Sequence, residues 1–463
     1  MKLLYIVHSL PFYNQAGTEV YTYELMREIA KRHEVYVLAR VCDPKREEYE
    51  LGRSFIDGIN VFTINNTFSK CNSFILHYDN EFIDRKFERI LEEIRPDLVH
   101  VQHLVFLSSG ILKIVKNKGI PLVFTLHDYW LFCPKWHLLK NDFSLCNKQF
   151  LNGYDSECFN CIADMLVVSK NSKKLYQLSK YFFPASLVRL LRKAYVNQKK
   201  LTSSSSLNVG LLNERKIKLK VALGYVDVFL APSVFMMEKF LASYGGLKET
   251  RLLRNGVRVN SLENRQRSFA NGNIKLAYIG TILPAKGVHI LIKAFKELKG
   301  NNLELVIYGN MRKYYGFEHY PGYLKNISRD DKRISFMPEF KHETVDKILQ
   351  DIDILVVPSI WYENAPLVIQ EALLNGIPVV ASRIGGIPEM IQDEKNGLLF
   401  TPGDIEELKE KLVFLTNNPG LRASIANCRS PVKSIKEHSK EIESVYGEIV
   451  PSSLMKDIAL SRN

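Results

Sequence analysis

The sequence predicts an α/β chain of two doubly wound parallel sheets facing each other across a central cleft, and three observations predict it. Short apolar runs at 3–7, 35–39, 59–63, 98–101, 121–125 and 227–231 alternate with helical spacing at 18–31, 78–94 and 107–117, the order of a parallel sheet covered by helices on both faces. A second series begins after Asn255-Gly256, with strands expected near 274–279, 303–308, 333–337, 353–357 and 377–381. At 463 residues and 46% hydrophobic content the chain is long enough to bury two such cores. The break near 250 divides it into a first domain over 1–252, a second over 253–430, and a tail over 431–463 in which Ile435, Ile442, Val445 and Ile449 have helical spacing.

Residues 2–7 read as a buried first strand. Only five apolar residues in a row follow Lys2, too few for the core of an export signal, and no later run approaches the roughly 18 residues of a membrane-spanning helix. The next loop ends in Ala16-Gly17-Thr18-Glu19 and enters the first helix, in itself a glycine turn with an N-cap. The strand PLVFTL delivers His127 and Asp128 at its carboxyl end, where functional loops of an open sheet gather, and His8 and His103 stand at two other strand ends. A lone histidine in such a place is more often a packing or capping residue than a chemical one.

Seven cysteines in a chain without an export signal point to reduced thiols or metal ligands rather than a disulfide framework. Cys133, Cys146, Cys158 and Cys161, spaced x12, x11 and x2, suit a tetrahedral structural zinc site; because only the last pair has knuckle spacing, four thiols without metal are the alternative. Cys42, Cys71 and Cys428 read as packing residues. The net charge of +13 is concentrated, since 165–220 holds thirteen Lys/Arg against Glu214 alone. The rest is close to neutral, which removes support from general nucleic-acid binding. Within that insert, aromatic and aliphatic residues from Leu175 to Tyr195 interleave with the basic ones, a pattern for an anionic membrane surface or for a helical hairpin packed on the domain, and Ser203 to Ser206 mark a flexible break.

In the second half, LAYI ends at Gly280-Thr281 and a loop leads to Lys286-Gly287 at a helix start, where a cation opposes the dipole unless an anion is near. Tyr308-Gly309-Asn310 follows the strand LELVI. Asp351-Ile352-Asp353 has the form of a metal-binding Asp-x-Asp but precedes the buried run ILVVP, so it reads as a helix-to-strand turn. Most informative is ENAPLVIQE. Glu363, Asn364 and Ala365 precede Pro366 at an expected first helical position, and Leu367, Val368, Ala372 and Leu373 form an apolar run closed by Gly376 and Pro378. The amides of Ala365, Leu367 and Val368 would then be open to phosphate oxygens. Glu371 lies eight positions after Glu363, roughly 12 Å if fully helical, so one carboxylate suits sugar hydroxyls and the other ribose hydroxyls with a diphosphate between them. By spacing alone, an N-terminal acid and a solvated helix Glu are the preferred explanation of the pair, and only its context reverses that preference.

The segment from Asp351 to Phe400, with the Ala-Gly-Thr-Glu loop, His127 and Lys286, resembles the retaining glycosyltransferases of family 4, and the resemblance reaches from the first strand to about Leu415. It implies the GT-B fold, two Rossmann-like domains with the active site between them, and a C-terminal helix that returns to the first domain. It implies that Gly17, Thr18 and Glu19 approach the donor phosphate and sugar, in a loop where Ala16 replaces the first Gly of Gly-Gly-x-Glu. It places His127 beside the donor sugar or the acceptor, Gly280, Thr281 and Lys286 on the diphosphate, Gly309 and Asn310 along the base, and Glu363, Asn364, Ala365, Pro366, Leu367 and Glu371 on the nucleotide sugar. Front-face transfer with retention follows, the acceptor hydroxyl losing its proton to the departing phosphate oxygen and Glu363 binding sugar rather than acting as a nucleophile. Lys286 and helix amides meet the leaving group's charge, so no catalytic metal or other cofactor is expected. The expected partners are a nucleotide-diphosphate sugar and a glycan or lipid-linked acceptor in cell-surface polysaccharide biosynthesis, at a cytoplasmic location, peripheral on the inner membrane face. A sugar-nucleotide epimerase of the same fold and an inactive membrane-associated scaffold are the alternatives. The first needs acidic proton shuttles where this chain has Ala16-Gly17, and the second is opposed by the presence of Glu363, Glu371, Lys286 and His127.

Overall fold

The computed structural model describes residues 1–71, 73–148, 153–166, 208–258, 272–311, 317–428 and 432–451. The expected basic amphipathic segment and its Ser203–Ser206 break lie outside these, apart from the helix Val209–Leu223 at the end of the insert.

Charge-free runs such as LLYIV are buried on both sheet faces, as parallel strands under helices require. The first sheet is built from β1 (Lys2–Val7), β2 (Glu34–Val41), β3 (Leu51–Ile56), β4 (Ile59–Asn65), β5 (Leu98–Val101), β6 (Leu122–Thr125), β7 (Val228–Ala231) and β8 (Glu249–Leu252), in the order β3-β4-β2-β1-β5-β6-β7-β8. Every neighbouring pair is parallel except β3 and β4. That hairpin turns at Asp57 and Gly58, both with positive φ (52° and 81°), the combination a tight two-residue turn needs. After β9 (Gly256–Val257), the second sheet comprises β10 (Ile274–Ile279), β11 (Leu303–Tyr308), β12 (Ile334–Met337), β13 (Ile354–Val357), β14 (Val379–Ser382) and β15 (Gly397–Phe400), ordered β12-β11-β10-β13-β14-β15 and parallel throughout.

Helices cover both sheets. Glu81–Ile94 buries Ile83, Phe87, Ile90, Leu91 and Ile94 on one stripe and is capped by Asn80, whose side chain accepts from the amides of Phe82 and Ile83. The last described helix, Ile435–Ile449, starts in a capping box between Ser434 and Glu437, and β16 (Lys433–Ser434) just before it pairs with β9. It packs Ile442, Val445 and Tyr446 into the same core as Leu3, Tyr5, Leu25 and Val37 of the first lobe. Full burial of each such side chain contributes about 1.5–3 kcal/mol, enough to hold the crossing helix on the far lobe. An apolar cluster also bridges the lobes, with the ring of Tyr362 5.1 Å from Phe235 and 6.3 Å from Tyr129.

In the first sheet, β3 and β8 were not expected from the apolar runs, nor was the short pair β9 and β16. β3 and β8 are edge strands, and β3 leaves Arg53, Ser54 and Phe55 exposed. Pro366 is also corrected by one position: it is the extended N-cap (φ −61°, ψ 118°), and the helix runs Leu367–Leu374, so only part of the stretch between Glu363 and Glu371 is helical.

Candidate active site

The loop after β13 carries Glu363, which is 4% exposed and anchored by three donors on one oxygen. Oε1 accepts from Lys286 Nζ at 2.7 Å, Ser359 Oγ at 2.5 Å and Trp361 Nε1 at 2.8 Å. Lys286 Nζ also lies 4.7 Å from the centre of the Trp361 ring, a cation–π contact. Two glycines make this convergence sterically possible. Gly287 (φ +71°) follows Lys286, and a Cβ there would lie 1.8 Å from the carbonyl oxygen of Pro358; Gly385 (φ +60°) backs the loop, and its Cβ would lie 2.0 Å from the carbonyl oxygen of Glu363. That carbonyl accepts from the amide of Gly386 at 2.8 Å.

Asn364 reaches across the cleft. Its Nδ2 donates to the carbonyl oxygens of Leu126 (2.9 Å) and His127 (3.1 Å), and its Oδ1 accepts from Ser233 Oγ at 2.5 Å. Glu389 joins the lobes as well, accepting from the amides of Val234 and Phe235, both at 2.8 Å, at the start of the helix Val234–Tyr244. Glu363 and His127, expected in one site from opposite halves of the sequence, are thus brought to the same junction.

On the first lobe His127 Nε2 donates to Gln102 Oε1 at 2.7 Å, and the ring stands edge-on to Tyr21 at 5.2 Å. Burial, with the charge of His103 adding to it, pushes the His127 pKa down to about 3, so the imidazole is neutral. His103 accepts from the amide of Val105 at Nδ1 (2.9 Å) and faces Asp128 Oδ1 with Nε2 (3.0 Å). Burial opposes ionisation of Asp128, but the charge and hydrogen bond of His103 outweigh it and hold the carboxyl below its ordinary value. His8 stacks edge-on to His103 at 4.7 Å and places Nε2 3.1 Å from Glu19 Oε1. Glu19 is 1% exposed and also takes Asn14 Nδ2, so its carboxylate is spent inside the first lobe, and its other oxygen is buried without a partner among the described residues. Gly17 and Thr18 open the helix Gly17–Ile29, and Ala16 is extended (φ −128°, ψ 172°), a conformation that does not require glycine.

The remaining donor-side residues are placed as follows. Gly309 packs on the end of β10, since a Cβ there would lie 2.1 Å from the carbonyl oxygen of Gly280, and Thr281 accepts from Tyr278 Oη through its carbonyl at 2.7 Å. Asn310 Nδ2 donates to Glu339 Oε1 at 3.0 Å. Ala365 and Pro366 lead into the open first turn at Leu367 and Val368, and Ile369 is the first amide to bond back, to the carbonyl of Pro366 at 3.2 Å. Glu371 is buried and already has a protein partner, His342 Nε2 at 2.7 Å; burial alone would lower the pKa of His342, but Glu371 more than offsets this and raises it. Asp351 and Asp353 tie down Lys275, the first through Nζ and the second through the amide, both at 2.8 Å, between a helix end and β13.

Cys133, Cys146, Cys158 and Cys161 form no disulfide. Among the described residues no group of three or more His, Cys, Asp or Glu is arranged to hold a metal ion. The ammonium of Lys135 sits 3.4 Å from Cys161 Sγ while donating to Leu139 O and Asn141 Oδ1, and burial pushes the Cys133 thiol up to about 12.

Ser359, Trp361, His342 and Gln102 are site residues that spacing did not single out. Ser359 and Trp361 lie four and two positions before Glu363 in the same loop, the one signal that could have found them.

Two family models match the chain: Glycosyltransferase Family 4 over residues 16–191 and Glycosyl transferases group 1 over residues 260–428. An uncharacterized glycosyltransferase of Methanocaldococcus jannaschii is 24% identical over 354 residues, 76% of this chain and 82% of the relative. The capsular polysaccharide biosynthesis glycosyltransferase CapM of Staphylococcus aureus is 25% identical over 207 residues, 42% of this chain and about half (51%) of the relative. The crystal structure of Anabaena HepE in complex with UDP and glucose superposes with a TM-score of 0.61 at 16% identity, covering 96% of this chain and 99% of that one. At that identity the likeness shows the fold, which is GT-B.

Proposed function

The chain belongs to the family 4 glycosyltransferases, with a group 1 second half, and we propose that it moves a sugar from a nucleotide-diphosphate sugar to a glycan or lipid-linked acceptor with retention of configuration. The observation that carries this reading is the convergence of Lys286, Ser359 and Trp361 on Glu363 Oε1, next to the Asn364 bridge to His127. Three donors on one oxygen fix the carboxylate's position, a preorganised hydrogen-bond acceptor for sugar hydroxyls. Lys286 has three N–H donors and one is used on Glu363, so the same ammonium can meet a leaving diphosphate. In the reaction the bond from the anomeric carbon to the diphosphate oxygen breaks as the bond to the acceptor oxygen forms on the same face. The acceptor's proton passes to the departing phosphate oxygen. His127, neutral and held at the junction, orients the sugar or the acceptor. This scheme uses no metal.

HepE was crystallised with UDP and glucose, and CapM is named for capsular polysaccharide biosynthesis, which supports a nucleotide-sugar donor and a cell-surface product. Nucleotide release measured over a panel of UDP-, GDP-, ADP- and TDP-sugars tests the donor. Release from none of them, with or without lipid-linked acceptors, would overturn the reading. Among the described residues no helix is long and apolar enough to cross a membrane, and the proposed contact with an anionic membrane rests on the charge of the insert. Neutralising the basic residues of 170–200 is expected to weaken binding to phosphatidylglycerol vesicles and to leave donor hydrolysis unchanged; unaltered vesicle binding would remove the membrane from the proposal.

A further inference from the structure

A buried line of hydrogen bonds runs from His127 through the first sheet to the crossing helix. His127 Nε2 meets Gln102 Oε1 at 2.7 Å, Gln102 Nε2 meets His100 Nε2 at 3.0 Å, His100 Nδ1 meets Tyr446 Oη at 2.6 Å, and Tyr446 Oη meets Tyr5 Oη at 2.8 Å. Thr125 Oγ1 is the second group on His100 Nε2, at 2.8 Å. Gln102, His100, Tyr446 and Tyr5 are all buried, so none of these groups can exchange its partner for water. The β1–β5 register sets Tyr5 beside His100, and the helix Ile435–Ile449 lays Tyr446 over both.

The line has a polarity. The amide nitrogen of Gln102 can only donate, so His100 Nε2 must accept and the single proton of this imidazole sits on Nδ1, donated to Tyr446. With its nitrogen committed to His100, Gln102 turns its oxygen to His127, which must therefore carry its proton on Nε2. We propose that Tyr446, His100 and Gln102 are positioning residues that hold His127 as the Nε2–H tautomer and leave Nδ1 as its hydrogen-bond acceptor for the reaction. The proposal rests on the placement of His127 in the donor cleft and adds what fixes its ring. It makes the crossing helix part of the active site's hydrogen bonding as well as of its packing: a residue more than 300 positions away in sequence decides which nitrogen of His127 accepts.

Tyr446→Phe tests the polarity directly. Without the hydroxyl, the buried Nδ1–H of His100 loses its acceptor; the imidazole regains one by moving its proton to Nε2, which forces the Gln102 amide to flip and the His127 proton to move to Nδ1. Were the line to run the opposite way, the same substitution would cost His100 a donor and drive no flip. The readout is the tautomer of His127 in long-range ¹H–¹⁵N spectra of the full chain labelled at histidine, with its signals identified by their loss in His127→Gln. The wild type is expected to show neutral Nε2–H, Tyr446→Phe to lose that form, and Tyr5→Phe, which removes a hydroxyl from the same cluster but keeps the acceptor for His100, to retain it. Nδ1–H or an imidazolium at His127 in the wild type overturns the proposal without any variant, and so does an unchanged His127 spectrum in folded Tyr446→Phe. A tautomer shift that leaves nucleotide release from UDP-glucose untouched would instead count against His127 in the reaction while the positioning line stands.

Discussion

Replacing Glu363 by Gln separates a sugar-holding carboxylate from a covalent nucleophile. The substitution preserves shape, and the amide carbonyl can remain at the position where Lys286 Nζ, Ser359 Oγ and Trp361 Nε1 converge at 2.5–2.8 Å. What it removes is charge: a hydrogen bond to a charged group contributes about 1.5–3 kcal/mol and a neutral one about 0.5–1.5 kcal/mol, and one oxygen becomes an NH₂ that cannot accept from a sugar hydroxyl. Loss of one charge-assisted bond to the transition state, about 1.5–3 kcal/mol, corresponds to a fall of roughly 10- to 150-fold in kcat/KM. Glu363→Ala also strips Lys286 of its carboxylate partner and the loop of its anchor, so its fall should exceed 1,000-fold, about 4 kcal/mol, with the fold intact. Nucleotide release and product formation with the best donor of the panel, followed by mass spectrometry of the trapped enzyme, give the answer. A Gln variant reduced by more than about 10⁴-fold, together with a glycosyl adduct at Glu363 in the wild type, would refute the binding role, because removing a covalent nucleophile costs on the order of 10⁶ in a serine protease. Near-normal rates in both variants would remove Glu363 from the site altogether.

The interior of the fold was legible because its strands are short runs buried on both faces, a pattern no amphipathic helix produces; the edges of the first sheet were not. β3 exposes Phe55 at 69% and carries Arg53 and Ser54, so its hydrophobic signal is weak, and the Asp57-Gly58 turn was the only local cue that a hairpin closes there. Within the candidate site, Glu363, Lys286 and His127 were singled out through the family resemblance, while the apolar runs define only the strand ends and helix starts they stand near. Glu371 could be found but not its state, since His342 comes from a turn 29 residues earlier in the chain. Gln102 and Tyr446 carry no local signal at all. Their relation to His127 depends on the register that sets Tyr5 beside His100 and on the rotation of the crossing helix, both of them properties of the assembled lobes.

Gly385→Ala puts a side chain at φ +60° with its Cβ 2.0 Å from the Glu363 carbonyl, so the Glu363 loop must move; turnover should fall at least tenfold with far-UV circular dichroism unchanged, and a fully active variant would show that the loop's backbone position does not matter. Lys286→Met keeps the stem against Trp361 but removes the charge, and should lower kcat/KM by about 100-fold or more; a change in KM alone would place Lys286 in ground-state binding and not at the leaving group. Acid stability follows from the buried imidazoles. Burial lowers His127, His137 and His438 to about 3 and His289 to about 4, and holds His100 well below its ordinary 6.5. Once unfolded, each of these five takes up a proton below about pH 6.5 that it refuses in the native state, so the unfolded chain binds more protons and stability falls as the pH drops from 6.5 towards 4. Each fully differential group adds a slope of up to about 1.4 kcal/mol per pH unit. His342 acts in the opposite sense: Glu371 outweighs burial and raises its pKa, so its contribution is full below 6.5 and is lost as the pH rises through the folded value. Asp84, whose pKa burial raises to about 7, acts in the same sense as His342, and burial also lowers His33 and His77. Two groups against seven leave a net loss on acidification, which urea midpoints at pH 7.5, 6.5, 5.5 and 5.0 should show as a steady decline beginning near 6.5. Midpoints that stay level down to pH 5 would mean that these imidazoles reach water in the native protein, and the neutral His127 on which the tautomer argument stands would go with them.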